Sequence, residues 1–244
     1  TELASPRGRE YYEGVRSQDT GAGQPAADSA LPAAFREDTR DLLPESRRLQ
    51  GVQMPNGSDP WESKGQRIIQ DFGIFKATEV ERAGPHGKTG RFIVLDAPDW
   101  GVVVPILERS GSRYILAVRQ FRHGSGQPSL EFPGGVVEPG EDPKRSAARE
   151  LREETGYEAG RMTLLGDLSP NPAILKNRFR VYLAENLQLA GKQSLDEHEI
   201  VDVQEIPESE FLDRLGGPGR DHALMSAAAF LYLRHRGWEP ARNL

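Results

Sequence analysis

Three glutamates, Glu150, Glu153 and Glu154, stand at i, i+3 and i+4 in the stretch RELREETG. On a helix that spacing puts them on one face with Cβ atoms about 5–6 Å apart, where like charges repel by roughly 0.2–0.5 kcal/mol per pair in water. The crowding is physically reasonable when a hard divalent cation is shared among the carboxylates. Mg²⁺ takes oxygen ligands and is held by a few carboxylates together with water and phosphate oxygens, and Mn²⁺ accepts the same donors. An isolated Glu-x-x-Glu-Glu would instead be read as a solvated acidic face, so the surrounding residues decide between the two.

Those residues form a fixed pattern: Gly135, five residues, Glu141, seven residues, Arg149 and Glu150, two residues, Glu153 and Glu154, one residue, Gly156. The pattern, spanning 135–157, resembles the Nudix box, the signature of hydrolases that act on nucleoside diphosphates linked to another group. It departs at its end, where the family has a branched aliphatic residue and this chain has Tyr157. The resemblance implies an α+β class fold, a mixed β-sheet sandwiched between α-helices. It also implies metal ligation by Glu150, Glu153 and Glu154 with the Gly134 carbonyl, Glu153 serving catalysis as well, and Mg²⁺ as cofactor with Mn²⁺ as a substitute. Gly135, Glu141, Arg149 and Gly156 are then structural, Arg149 and Glu141 tying loop to helix so that a ligand-bearing loop is rigid.

In family members that cleave ADP-ribose and similar sugars, the base lies on a loop beyond the box. The stretch SLDEHE occupies that place, so Glu197 is expected to orient or deprotonate the attacking water and Glu199 to join the metal cluster, unless the loop is simply an acidic surface. Upstream, AVRQFRHG and LEFPGG resemble the corresponding segment of ADP-ribose and nucleotide-sugar pyrophosphatases. Arg122 is the expected phosphate contact, because a planar guanidinium suits bidentate binding, with Arg119 the alternative. Phe75, or else Trp100, is the candidate for stacking on the base, although either aromatic is equally at home in a core. Pro172 sits where that branch carries a proline, but NPAILKN replaces its usual glycine-rich loop. His123 and His198 read as loop residues.

The activity expected from the resemblance is hydrolysis of an ADP-ribose-like nucleoside diphosphate sugar to nucleoside monophosphate and sugar phosphate. The alternatives are another Nudix substrate (a dinucleotide polyphosphate, NADH or a nucleoside triphosphate) and a nucleotide-binding module without catalysis. A homodimer that exchanges N-terminal strands and builds its site from both chains is also implied.

The rest of the 244 residues must position these groups. Lys and Arg number 31 against 37 Asp and Glu, a net charge of -6, which argues against a nucleic acid polymer as partner. There is no cysteine, hence no disulfide or thiolate metal site. No apolar run approaches a membrane span and no secretory signal opens the chain, so a cytoplasmic protein without membrane contact is expected. Residues 1–60 are polar and interrupted by Pro and Gly, and read as an N-terminal extension or arm with one weak helical pattern from Phe35 to Leu42. The Nudix domain is placed at 61–244. It opens with antiparallel strands at about 66–97, followed by a hairpin of GVVVPILE and RYILAVRQF across RSGS. Asp142 as N-cap, Pro143 at the first position and Gly156 as terminator predict a helix over 143–155. Strands in RMTLLGDLSP, NRFRVYLAENL and IVDVQEIP come next, then helices in PESEFLDRL and DHALMSAAAFLYLRHRG.

Overall fold

A computed structural model describes residues 61–196 and 199–238. The expected arm at 1–60, Glu197 and His198 lie outside the described residues.

The described residues form two sheets. The first has three antiparallel strands in sequence order, β1 (Glu62–Asp71), β2 (Lys76–Ala83) and β3 (Thr89–Asp96). Every residue of β1 is exposed. Main-chain bonds from Leu95 N to Ile174 O and from Lys176 N to Leu95 O join β3 to residues 174–176.

The second sheet carries the core. Its strands are β4 (Trp100–Arg109), β5 (Ser112–Arg122), β6 (Gln127–Glu131), β7 (Gly134–Val136), β8 (Tyr157–Leu168), β9 (Phe179–Leu189) and β10 (Val201–Pro207). The main order is β10-β5-β4-β9-β8, with β6 on β5 and β7 on β4. Only β4 and β9 run parallel among these pairs, and the long connection that parallel neighbours need is supplied by the four strands and one helix between them. Ser110 and Gly111, at φ 51° and 80°, make the two-residue turn that joins β4 to β5.

Strand β4 is buried from Gly101 to Leu107, which is why it reads as a continuous apolar run. Its alternate residues feed two cores. Val102, Val104 and Ile106 pack with Phe179, Val181, Phe211, Ala228 and Tyr232, the last three from α2 (Glu208–Asp213) and α3 (Ala223–His235). Val103 faces the other way, to Ala147 and Leu151 of α1 (Pro143–Thr155). The larger sheet is therefore covered by α1 on one face and by α2 and α3 on the other, an α+β sandwich. No described helix is long and apolar enough to cross a membrane.

Helix α1 has the limits its punctuation predicts. Asp142 accepts from Lys144 N and Arg145 N at 3.1 and 3.0 Å, and Gly156 ends the helix at φ 77°. Two details differ from expectation. The loop after LEFPG contains a short strand, β7, because Gly134–Val136 pair with Trp100–Val102. Strand β8 begins at Tyr157, directly after the helix cap, rather than near Arg161.

At the start of β4, Asp99 accepts from Arg178 N at 2.8 Å and from Arg180 Nη1 at 2.7 Å, while Asp167 pairs with Arg178 Nε at 2.8 Å. Burial alone would raise the Asp99 pKa, but these donors outweigh it and hold the carboxyl below its ordinary value. A carboxyl with a depressed folded pKa stabilises the protein above its unfolded pKa of about 3.9, and that contribution is lost as pH falls through the folded value. Asp99→Asn is thus expected to lower the melting temperature at pH 7, with the gap to the wild type closing as the pH is taken from 6 to 3. A gap independent of pH would assign the effect to hydrogen-bond geometry instead of charge.

Candidate active site

The three glutamates of α1 meet the loop between β6 and α1, and glycine makes the approach possible. A Cβ on Gly134 would fall 2.2 Å from Gly101 O and 2.7 Å from Val102 Cα, both backbone atoms. A Cβ on Gly135 would fall 2.6 Å from Glu150 Cδ. Bare backbone therefore lies directly against β4 on one side and the Glu150 carboxyl on the other. Gly134 N donates to Glu154 Oε2 at 2.9 Å, and Ser146 Oγ donates to Val136 O at 3.2 Å, tying the loop to α1 twice more.

Arg149 is the hub of this cluster. Its Nε and Nη2 donate to the two oxygens of Glu141 at 3.2 Å each, and its Nη1 donates to Glu150 at 3.0 Å and Glu153 at 2.9 Å. Glu141 Oε2 also accepts from Glu138 N at 3.3 Å, so the guanidinium spans loop and helix together.

Burial dominates the electrostatics. It pushes the Glu154 pKa up to about 8, with the charges of Glu150 and Glu199 adding to the rise and Gly134 N opposing it. It likewise pushes Glu150 to about 7 against the pull of Arg149. Two half-desolvated carboxylates side by side are costly in the absence of a further positive charge, and that is the environment in which an added dication is most strongly favoured. The donor set, all oxygen and built on one rigid helix, fits a hard divalent ion. As arranged, no three acidic groups among the described residues converge at ligating spacing, since Arg149 Nη1 draws Glu150 and Glu153 to itself.

The remaining expected residues are distributed unevenly. Arg122 is on the α1 face, close enough for the charges of Glu154 and Glu199 to act on it. It does not project freely: Nε and Nη2 are both taken by Glu131, at 2.9 and 2.7 Å. Glu131 has no solvent exposure. Burial raises its pKa, and the two bonds from Arg122 more than reverse this. Sequence reasoning missed Glu131, although a carboxylate in the apolar stretch LEFPGG signals a buried partner.

Arg119 must be corrected. It is directly opposite Leu130 and Asp202 in the strand pairing and lines a 280 Å³ recess with Gln204, Pro218 and Arg220, on the face that carries α2 and α3. Residues three apart on a strand point to opposite faces, so Arg119 and Arg122 cannot serve one site.

Phe75 lies in the turn between β1 and β2 rather than within a strand, half-buried against Phe72 at a ring distance of 4.9 Å. Trp100 begins β4 and packs on the core shared with α3. Glu199 N–H donates to Asp196 O at 3.0 Å and its carboxylate accepts from Asp196 N at 3.4 Å. Tyr157 puts its phenol to use: Arg109 Nη2 donates to its hydroxyl at 3.4 Å and to Glu205 at 2.9 Å, and the hydroxyl is 3.3 Å from the same Glu205 oxygen. A polar tip at this position thus bridges β8 to β10, strands at the two ends of the sheet order.

Comparison with known proteins agrees with this architecture. Residues 97–226 match the NUDIX domain, more than half of the chain. The chain belongs to the NUDIX family. Its relatives include an ADP-ribose pyrophosphatase of Bacillus subtilis (strain 168), 36% identical over 123 residues, covering 50% of this chain and 65% of that protein, just under two thirds of its length. An ADP-sugar pyrophosphatase of Mus musculus is 31% identical over 148 residues, 57% of this chain and 68% of the relative. A crystal structure described as ADP compounds hydrolase superposes with a TM-score of 0.64 at 23% identity, over 73% of this chain and 97% of that one, a likeness of fold.

Gly156 is doubly constrained, by φ 77° and by a Cβ position only 2.4 Å from Gly191 O. Gly156→Ala is expected to lower unfolding free energy by about 1–3 kcal/mol through backbone strain, read as a reduced denaturant midpoint. An unchanged midpoint would show that the loop at Gly191 yields without cost.

Proposed function

We propose that the protein is a divalent-metal-dependent pyrophosphohydrolase of nucleoside diphosphate sugars of the ADP-ribose type. The observation that carries this reading is the set of Glu150, Glu153 and Glu154 on one helical face, with Glu154 buried and Glu150 and Glu154 lying against the bare backbone of Gly135 and Gly134. The names of the Bacillus subtilis and Mus musculus relatives support the substrate class.

In this reading Glu150, Glu153, Glu154 and the Gly134 carbonyl hold Mg²⁺, with Mn²⁺ a substitute, and Glu199 joins them when substrate binds. Such an ion, when bound, would neutralise charge on the diphosphate and lower the pKa of water. Glu197 would take a proton from the attacking water as its oxygen bonds to phosphorus, and the bridging P–O bond would break to leave nucleoside monophosphate and sugar phosphate. Glu131 fixes the Arg122 guanidinium by its Nε and Nη2 edge, which leaves Nη1 for a phosphate oxygen. Phe75 stacks on the base.

Incubation with Mg²⁺ and a panel of ADP-ribose, other nucleoside diphosphate sugars, dinucleotides, NADH and nucleoside triphosphates, with products identified by mass, tests the proposal. AMP and ribose 5-phosphate are expected from ADP-ribose. Glu197→Gln should lower kcat by about 10²–10⁴-fold, the usual contribution of a general base, and Glu153→Gln should abolish turnover. Failure to cleave every diphosphate-linked sugar would sink the reading.

The same reading includes a homodimer through the N-terminal sheet. Ile68, Ile69, Phe72, Ile74, Phe92 and Ile93 are all largely exposed there, more apolar surface than a three-stranded sheet leaves in water without a partner. A second copy of the chain is the proposed cover. Light scattering should give twice the chain mass, with Ile93→Asp shifting it to the monomer; a monomeric wild type rejects the dimer.

A further inference from the structure

The connection from β9 to β10 is fastened to the end of the glutamate helix. Ala190 N and Gly191 N donate to Gly156 O at 2.9 and 3.2 Å, and Ser194 N donates to Glu153 O at 2.8 Å. Gln193 Nε2 donates to Glu154 O at 2.6 Å and to Val201 O at 3.2 Å. The last carbonyls of an α-helix have no donor within the helix. Here two of them belong to Glu153 and Glu154, and both are capped by this connection.

Among these bonds, those of Gln193 have a particular reach. One amide nitrogen links the last turn of α1 to the first residue of β10. Glu199 lies in the same connection, two residues before Val201. Its charge acts on both Glu150 and Glu154, which places it within electrostatic range of the two.

We propose that Gln193 is a positioning residue for Glu199: by bridging the Glu154 and Val201 carbonyls it sets the separation between the α1 glutamates and the Glu199 carboxylate. The inference rests on the reading of the glutamate cluster as a metal site. A purely structural Gln193 would affect unfolding without affecting metal binding, and any effect would add to that of Glu199. A positioning Gln193 acts through Glu199, so removing both changes nothing beyond removing Glu199.

The test is a double-mutant cycle on Mn²⁺ binding, by calorimetry on the full chain saturated with a non-hydrolysable ADP-ribose analogue, with melting temperatures recorded in parallel. Gln193→Met keeps the length and removes the donors. It is expected to weaken Mn²⁺ binding about tenfold, the scale typical of groups that hold a ligand in place. Glu199→Gln should weaken binding similarly, and the double variant should match Glu199→Gln alone. Wild-type affinity in Gln193→Met, or an additive double variant, overturns the proposal. Should Gln193→Met not fold, Gln193→Asn, whose shorter amide cannot span both carbonyls, enters the same cycle. Glu153→Gln separates the two levels: if it binds Mn²⁺ like the wild type, the metal reading itself fails, whereas loss there with normal binding in Gln193→Met rejects the positioning role alone.

Discussion

The burial of like charge on α1 is the constraint around which the rest of the protein is arranged. Glu154 is nearly inaccessible and Glu150 is mostly buried, yet neither is neutralised by a simple one-to-one pair. Holding them there takes a strongly terminated helix, a loop with no side chains where it passes Glu150, and an arginine that reaches three carboxylates at once. Each of these has a further support. The loop is stitched to β4 as β7, and β4 is anchored by apolar side chains in both cores. Burying a charge costs more than any single hydrogen bond returns, so the scaffold has to be stiff on every side of it.

Much of this was legible in the chain. The helix limits followed from Asp142, Pro143 and Gly156, which act locally and leave an unambiguous signature. The hairpin from β4 to β5 followed from two apolar runs around a short polar turn. The glutamate spacing and its glycines identified the family pattern, because those contacts are set by backbone geometry over a short stretch of sequence. What was not legible depended on pairing across the sheet. Arg122 reads from the sequence as a phosphate contact, and only the pairing of β6 with β5 brings Glu131 beside it. Arg119 and Arg122 could have been separated by counting alone, since an odd interval on a strand reverses the face. Gln193 carried no signal at all: a glutamine in a polar loop acquires meaning only when the carbonyls of Glu154 and Val201 are seen on either side of it.

Tyr157 shows how a departure from a family pattern is absorbed. An aliphatic residue at that position would contribute packing alone, whereas the phenol reaches Arg109 and Glu205 at its tip and keeps its ring half-buried. Aromatic residues with a polar end can satisfy an apolar and a hydrated boundary together. The substitution therefore moves the end of the signature from pure packing to a three-residue polar bridge without disturbing the helix cap beside it.

Arg149 has a consequence for the charge balance of α1. Its positive charge is permanent, and it already contacts Glu141, Glu150 and Glu153 in the folded chain. The acidic helix consequently carries its own counterion within the folded chain, so three carboxylates share one face with a fixed cation of the same element to offset their mutual repulsion.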